Sequence, residues 1–174
     1  MKLIEPTVKY LEQIKAYRKE FLDNGDSMDG TGGLRLIEDP EKWVERCRLF
    51  KDPDNVPEGM VPATQFIFVR EEDEKIVGML QIRHFLNYHL ENFGGHIGYS
   101  VAPSERRKGY ASLMLKTALP KCKKLGIDKV LIFCNDTNIG SRKTILSGGG
   151  VYVSTSYEPD EKEYLEKYLI DLSK

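Results

Sequence analysis

The sequence predicts one α/β domain over residues 1–174, a mixed, mostly antiparallel central sheet flanked by helices. Short apolar runs of strand length recur between helical patterns. Their order reads β, α, α, three strands, then α, β, α, β, β. No linker, repeat or low-complexity tract divides the chain, and 174 residues suffice for a proper core.

Residues 2–5 form a short strand ended by Pro6, and Thr7 is placed to cap the first helix. Tyr10, Leu11, Ile14, Tyr17 and Phe21 recur at helical spacing, so residues 8–22 form an amphipathic helix. Residues 23–35 are turn-rich and predict a flexible loop. Its Gly30-Thr31-Gly32-Gly33 run has no strand before it and no Lys-Ser/Thr after it, which argues against a nucleotide loop. Asp39-Pro40-Glu41 starts a second helix, with Trp43, Cys47 and Phe50 on one face. Residues 51–63 read as loop.

Three strands come next, at 64–70, 75–85 and 94–102, with a charged hairpin turn at 71–74, as in an antiparallel meander. A helix over 109–125 carries Tyr110, Leu113, Met114, Ala118, Cys122 and Leu125 on one side. Pro120 inside it predicts a kink or break, and Gly126 a C-terminal cap. The continuous apolar run 130–134 reads as a buried parallel strand. Residues 135–138 open another helix that ends at Gly148-Gly149-Gly150, and 151–157 and 167–172 form a final strand pair with an acidic connection.

The net charge of −1 implies no general affinity for nucleic acid or membranes. The charge is uneven, however. Residues 104–129 carry eight Lys/Arg against two Asp/Glu, and residues 20–29 carry four acids and no base. The basic stretch suits a polyanionic ligand. The acidic one suits a cationic second substrate or is a solvated loop. Cys47, Cys122 and Cys134 are odd in number and widely spaced, and with His84, His89 and His96 they give no metal-ligand spacing. The N-terminus lacks a signal-peptide core and no apolar run is long enough to span a bilayer, so a cytoplasmic protein is expected.

The chemistry concentrates in residues 97–112. An apolar strand stops at Pro103, then comes Arg106-Arg107-Lys108-Gly109, and a helix begins at once. N–H groups at a helix N-terminus are unpaired, and the helix dipole favours an anion there. Gly109 and Ala111 keep bulk away, so a pyrophosphate can approach the N–H groups of residues 107–112, while Arg106, Arg107 and Lys108 add charge. Arg106-x-x-Gly109-x-Ala111, with Ile97-Gly98-Tyr99-Ser100-Val101-x-Pro103 before it, resembles the GNAT acetyltransferase superfamily, whose loop reads Arg/Gln-x-x-Gly-x-Gly/Ala. Residues 83–87 and 94–96 are similar to a bacterial subgroup of predicted acetyltransferases. The resemblance covers most of the chain and is weakest over residues 23–63.

The resemblance implies a GNAT-like fold with two splayed strands forming the cofactor cleft. It implies acetyl-CoA as acyl donor, no metal, and transfer to a primary amine on a small molecule or peptide. Arg106, Arg107, Lys108, Gly109, Tyr110, Ala111 and Ser112 would hold the pyrophosphate. Backbone groups of Ser100, Val101 and Ala102 would pair with pantetheine, one N–H polarising the thioester carbonyl. Asn138-x-x-Ser141 would touch the pantetheine arm, although Asn138 is equally a helix cap. Many family members place a proton-donating tyrosine seven residues after that asparagine. Here Ile145 stands there, a position expected to accept tyrosine, so either Tyr152, Ser141 or water serves or the thiolate leaves unprotonated. His96, sharing a strand face with Gly98 and Ser100, is either the amine's general base or a histidine bonded at a strand end. Arg83, His84 and Asn87 either shape the acceptor pocket or form a satisfied strand-end cluster. An acyl-CoA-binding sensor without turnover is the alternative function. The acceptor's identity and a homodimer stay open.

Overall fold

The structure, a computed structural model, describes residues 1–173. Among the described residues seven strands form two antiparallel sheets. The first orders β1 (Lys2–Ile4), β2 (Ala63–Arg70), β3 (Lys75–Arg83) and β4 (Ile97–Val101) side by side. The second orders β5 (Lys129–Asn135), β7 (Glu163–Asp171) and β6 (Val151–Glu158). Four helices pack on them: α1 (Leu11–Asn24), α2 (Pro40–Leu49), α3 (Tyr110–Lys124) and α4 (Ile139–Ser147).

Strand alternation divides the apolar residues of the first sheet between two cores. Phe66, Phe68, Leu80 and Ile82 face α3 and β5, where Met114, Leu115, Val130 and Ile132 complete one cluster. Ile67, Val69 and Met79 face the other way, against Ile14, Tyr17 and Phe21 of α1 and Trp43 of α2. Among the described residues one isolated bridge links the two sheets. Gly95 bridges Ile132, and the His96 N–H donates to the Leu131 carbonyl at 2.7 Å. Past that clasp no ladder joins β4 to β5 among the described residues, so the two strands part. No helix of the described residues is long and apolar enough to cross a membrane.

Several expectations change. Residues 130–134 lie in a strand paired antiparallel with β7, not in a parallel strand. Its burial alternates, with Val130, Ile132 and Cys134 inward. The residues between them, Leu131 and Phe133, are half-buried. α3 passes through Pro120 unbroken. Ala118 and Cys122, on either side of the proline, are fully buried, so packing holds the helical path although one ladder bond is lost. Gly126 does cap α3, in the left-handed region at φ 78°. The Ile127 and Gly126 N–H groups reach back to the carbonyls of Cys122 and Lys123 at 3.0 Å, a Schellman end.

Residues 23–35 are anchored rather than loose. Met28, Thr31 and Leu34 are buried, and the Trp43 indole N–H donates to the Thr31 carbonyl at 2.8 Å. Thr7 takes an extended conformation before a short 3-10 turn, but its side chain makes no capping bond. The strand expected at 94–102 begins only at Ile97, because residues Leu90–Gly94 coil into a π-helical turn. β7 begins at Glu163, so the acidic connection to β6 shrinks to four residues, 159–162.

Candidate active site

The phosphate-loop geometry expected from the sequence is present. Gly109 is the N-cap of α3 at φ 80°, and a Cβ there would meet nothing within 4 Å. Arg107 also takes a left-handed conformation, φ 61°, which costs a non-glycine residue roughly 1 kcal/mol. The loop therefore turns so that the first N–H groups of α3 open outward. The three cations differ in their engagements. Arg106 reaches away, with Nη2 on Asp26 at 2.6 Å and Nε donating to the Val101 carbonyl at 3.3 Å. Lys108 is held by Glu105 at 2.9 Å. Among the described residues Arg107 has no carboxylate partner and is exposed, so its guanidinium is free for an anion.

Glu105 fixes the base of the loop. Its side chain is 4% exposed and accepts from Lys75 at 2.6 Å, Lys108 at 2.9 Å and Arg70 at 3.0 Å. Arg70 also donates to the Tyr110 hydroxyl at 3.1 Å. Lys75, then Lys108 and Arg70, hold the Glu105 carboxyl down at about 2. Reasoning from sequence missed this residue. The signal was an acid directly before three successive cations, Arg106, Arg107 and Lys108.

The cleft edge of β4 is set by backbone alternation. The Ala102 N–H donates to the Val77 carbonyl at 3.0 Å, and the Ser100 carbonyl accepts from the Tyr17 hydroxyl at 3.1 Å. Both face β3 and α1. Tyr99 and Val101 alternate to the other edge, towards the split. Of the three backbone positions expected, Val101 therefore lies at the cleft, Tyr99 joins it, and Ser100 and Ala102 are turned from it.

On the opposite wall, the Asn138 side chain accepts from the Ser141 N–H at 2.9 Å, capping α4. The Ser141 hydroxyl lies 2.8 Å from the Tyr99 hydroxyl. Ile145 is fully buried in the core, so a tyrosine there would overpack it, contrary to the expectation from sequence. Tyr152 lies on β6, separated from β5 by β7, and bonds to Thr155 at 2.9 Å. It does not reach the split, about 10 Å away at ordinary strand spacing.

His96 is a brace. Its Nδ1 accepts the Leu131 N–H at 3.0 Å, which puts the neutral ring's proton on Nε2 and leaves no lone pair for a base. Burial, with Arg83 nearby, lowers its pKa to about 4. It also sits at the closed end of the split, four residues before Ser100. The residues expected in an acceptor pocket are braces as well. Arg83 donates from Nη1 to the Gly94 and Gly95 carbonyls at 2.9 Å. His84 Nε2 pairs with the Thr64 hydroxyl at 2.8 Å, and its pKa is lowered by burial and by Lys51. Asn87 bonds to the Gly59 carbonyl and to the Leu90 N–H, both at 3.0 Å. Arg83 and Asn87 thus satisfy backbone groups around the irregular end of β3, and His84 ties it to the Thr64 side chain. A cavity of about 410 Å³ there, lined by His84, Glu91, His96 and Leu131 among others, lies at the end of β4 away from the phosphate loop.

A helix N-terminus open to phosphate thus lies beside two parting strand edges. The family model described as the acetyltransferase (GNAT) family matches residues 30–146. The chain belongs to that family and is an acetyltransferase. No curated protein matches it. Among solved structures it is similar to the ribosomal-protein-S5-alanine acetyltransferase of Vibrio fischeri, with 16% identity over 98% of this chain and 92% of that one, TM-score 0.70. It is similar to a spermidine N-acetyltransferase mutant of Vibrio cholerae, with 14% identity over 99% and 96%, TM-score 0.66. It is also similar to the microcin C7 self-immunity acetyltransferase, solved with acetyl-CoA and AMP, with 18% identity over 97% and 91%, TM-score 0.69. At these identities the likeness is one of fold.

Proposed function

We propose that this acetyltransferase takes the acetyl group of acetyl-CoA and passes it directly to a primary amine. The observation that carries this is the exposed start of α3, opened by Gly109 beside the free Arg107 and leading into the parted edges of β4 and β5. In this proposal residues 107–112 hold the pyrophosphate, and Tyr99 and Val101 pair their backbone with pantetheine as a neighbouring strand would. A backbone N–H on that edge polarises the thioester carbonyl. The neutral amine attacks, a tetrahedral intermediate forms, and the CoA sulfur leaves. Alignment of both reactants in one cleft supplies much of the rate. His84 is tied to Thr64, and Glu71 and Glu74 pair with the N-terminus and Lys9, so the amine's proton passes to water. Three unpaired, buried cysteines fit a reducing, cytoplasmic setting.

A panel of amines that includes spermidine and an N-terminal alanyl peptide tests this, with free CoA thiol as the readout. Thiol release that needs both acetyl-CoA and one class of amine is the expected result. Calorimetry forms the second arm, in which Gly109→Asp should abolish acetyl-CoA binding, since it adds bulk, strain and negative charge at the phosphate. Unchanged affinity in that variant overturns the site. Tight binding with no amine-dependent release identifies a sensor without turnover, the reading that the aliphatic Ile145 favours.

A further inference from the structure

The Tyr99 and Ser141 hydroxyls lie 2.8 Å apart and join β4 to the first turn of α4. Tyr99 Oη is also 3.3 Å from the Ser141 carbonyl. This pair stands on the wall of the split, one residue belonging to the exposed edge of β4 and the other lying just past the cap at Asn138. The chemistry makes a demand there. When the tetrahedral intermediate collapses, the carbon–sulfur bond breaks and its electron pair goes to sulfur. A free thiol has a pKa of about 8.5, so a donor at the sulfur eases its departure. Ile145 is a buried hydrocarbon and cannot donate. Tyr152 is two strands away from the split. Cys134 is nearer, but its thiol is occupied with Glu166, 4.0 Å away.

We infer that Ser141 and Tyr99 form a two-hydroxyl relay that donates a hydrogen bond to the departing CoA sulfur, an inference that rests on the acetyl-CoA reading above. As the carbon–sulfur bond breaks, the Ser141 hydroxyl donates a hydrogen bond to sulfur and the Tyr99 hydroxyl donates one to Ser141. Both hydroxyls keep their protons, the sulfur leaves as a stabilised thiolate, and the amine's proton goes to water. Burial pushes the Tyr99 phenol up to about 12, which keeps it protonated and a hydrogen-bond donor at neutral pH. Asn138 fixes the first turn of α4, and so the direction in which Ser141 points.

The test needs only CoA. A donor at the sulfur stabilises the thiolate, so CoA bound to the protein should ionise below the value of free CoA. Thiolate ultraviolet absorbance of bound CoA, titrated against pH, reads this directly. Tyr99→Phe and Ser141→Ala should each raise the bound thiol's pKa by about one unit, the size of a charge-assisted hydrogen bond. Ser141→Thr, which keeps the hydroxyl, should restore it, and Thr117→Ala, which removes an exposed hydroxyl bonded to the Leu113 carbonyl, should leave it alone. An unchanged thiol pKa in Ser141→Ala overturns the relay. A shift in Ser141→Ala without one in Tyr99→Phe removes Tyr99 from it. Failure of the wild-type protein to bind CoA is separate: it sinks the acetyl-CoA reading, and the relay with it. Should Tyr99→Phe not fold, Ser141→Ala and Ser141→Thr still decide the case.

Discussion

A histidine just before the fourth strand can serve chemistry or architecture, and the hydrogen bond at Nδ1 favours the second. The Leu131 N–H needs the Nδ1 lone pair, so His96 must stay neutral for the clasp to hold. Its pKa, lowered to about 4 chiefly by burial, agrees with that requirement. The linkage has a definite sign. Unfolded histidine takes a proton near 6.5 and the folded ring only near 4. Between these values the unfolded chain binds more protons, so His96 contributes stability above about pH 6.5 that is lost as pH falls towards 4. His96→Asn can keep an acceptor near Nδ1 but cannot titrate. Urea midpoints of this variant should fall less steeply between pH 6.5 and 4 than those of the wild type. A slope remains because the His84 pKa is lowered too. Turnover should change less than tenfold, whereas loss of a positioned base costs about 10²–10⁴-fold. A variant with a wild-type acid slope would contradict this role.

At the scale of elements, α2 shows what a short stretch of sequence can specify. Asp39 accepts from the N–H groups of Glu41 and Lys42 at 2.9 and 3.3 Å, and Pro40 takes the first position, where no N–H is needed. Asp39→Ala should cost about 1 kcal/mol, the usual worth of a cap. That corresponds to a fall in Tm of roughly 2–4 °C for a chain of this size. Acetyl-CoA affinity should not change, and a thermal melt with matched calorimetry checks both. The same locality explains what else was legible. The phosphate turn, the α4 cap at Asn138 and the glycine end of α3 are each written within a few residues. The roles of Arg83, His84, Asn87 and His96 were not, because, apart from the local bond of Asn87 to the Leu90 N–H, their partners lie 11 to 35 residues away and are mostly backbone groups. The anchoring of residues 23–35 was hidden for the same reason. It depends on Trp43 from the next helix and on Gly30 resting against Gly98 of β4. Composition marked that segment as loop, and nothing within it announced the contact.

The whole molecule is two sheets joined at one end of a split, and the clasp sets how they diverge. Gly95 has φ 67° and ψ −172°, a region essentially restricted to glycine. A Cβ there would stand 2.4 Å from the Leu131 carbonyl oxygen. No flexible side chain can yield to it, because the obstacle is backbone. Gly95→Ala must therefore open the Gly95–Ile132 bridge and shift the neighbouring bonds of His96 to β5. Its Tm should fall, and the effect should extend to the ligand. Acetyl-CoA at about 100 times its Kd stabilises a folded protein by about 2.7 kcal/mol, which in the wild type is a rise in Tm of roughly 5–10 °C. In Gly95→Ala, at the same acetyl-CoA concentration, that rise should be smaller, because pantetheine must meet edges no longer held at the right separation. The phosphate loop is intact in this variant, so 3′,5′-ADP, which lacks pantetheine, should stabilise both proteins equally. Melts with the two ligands separate the clasp's effect on the split from a general loss of stability. An equal loss of response to both ligands would show that Gly95 supports the fold without setting the geometry of the cleft.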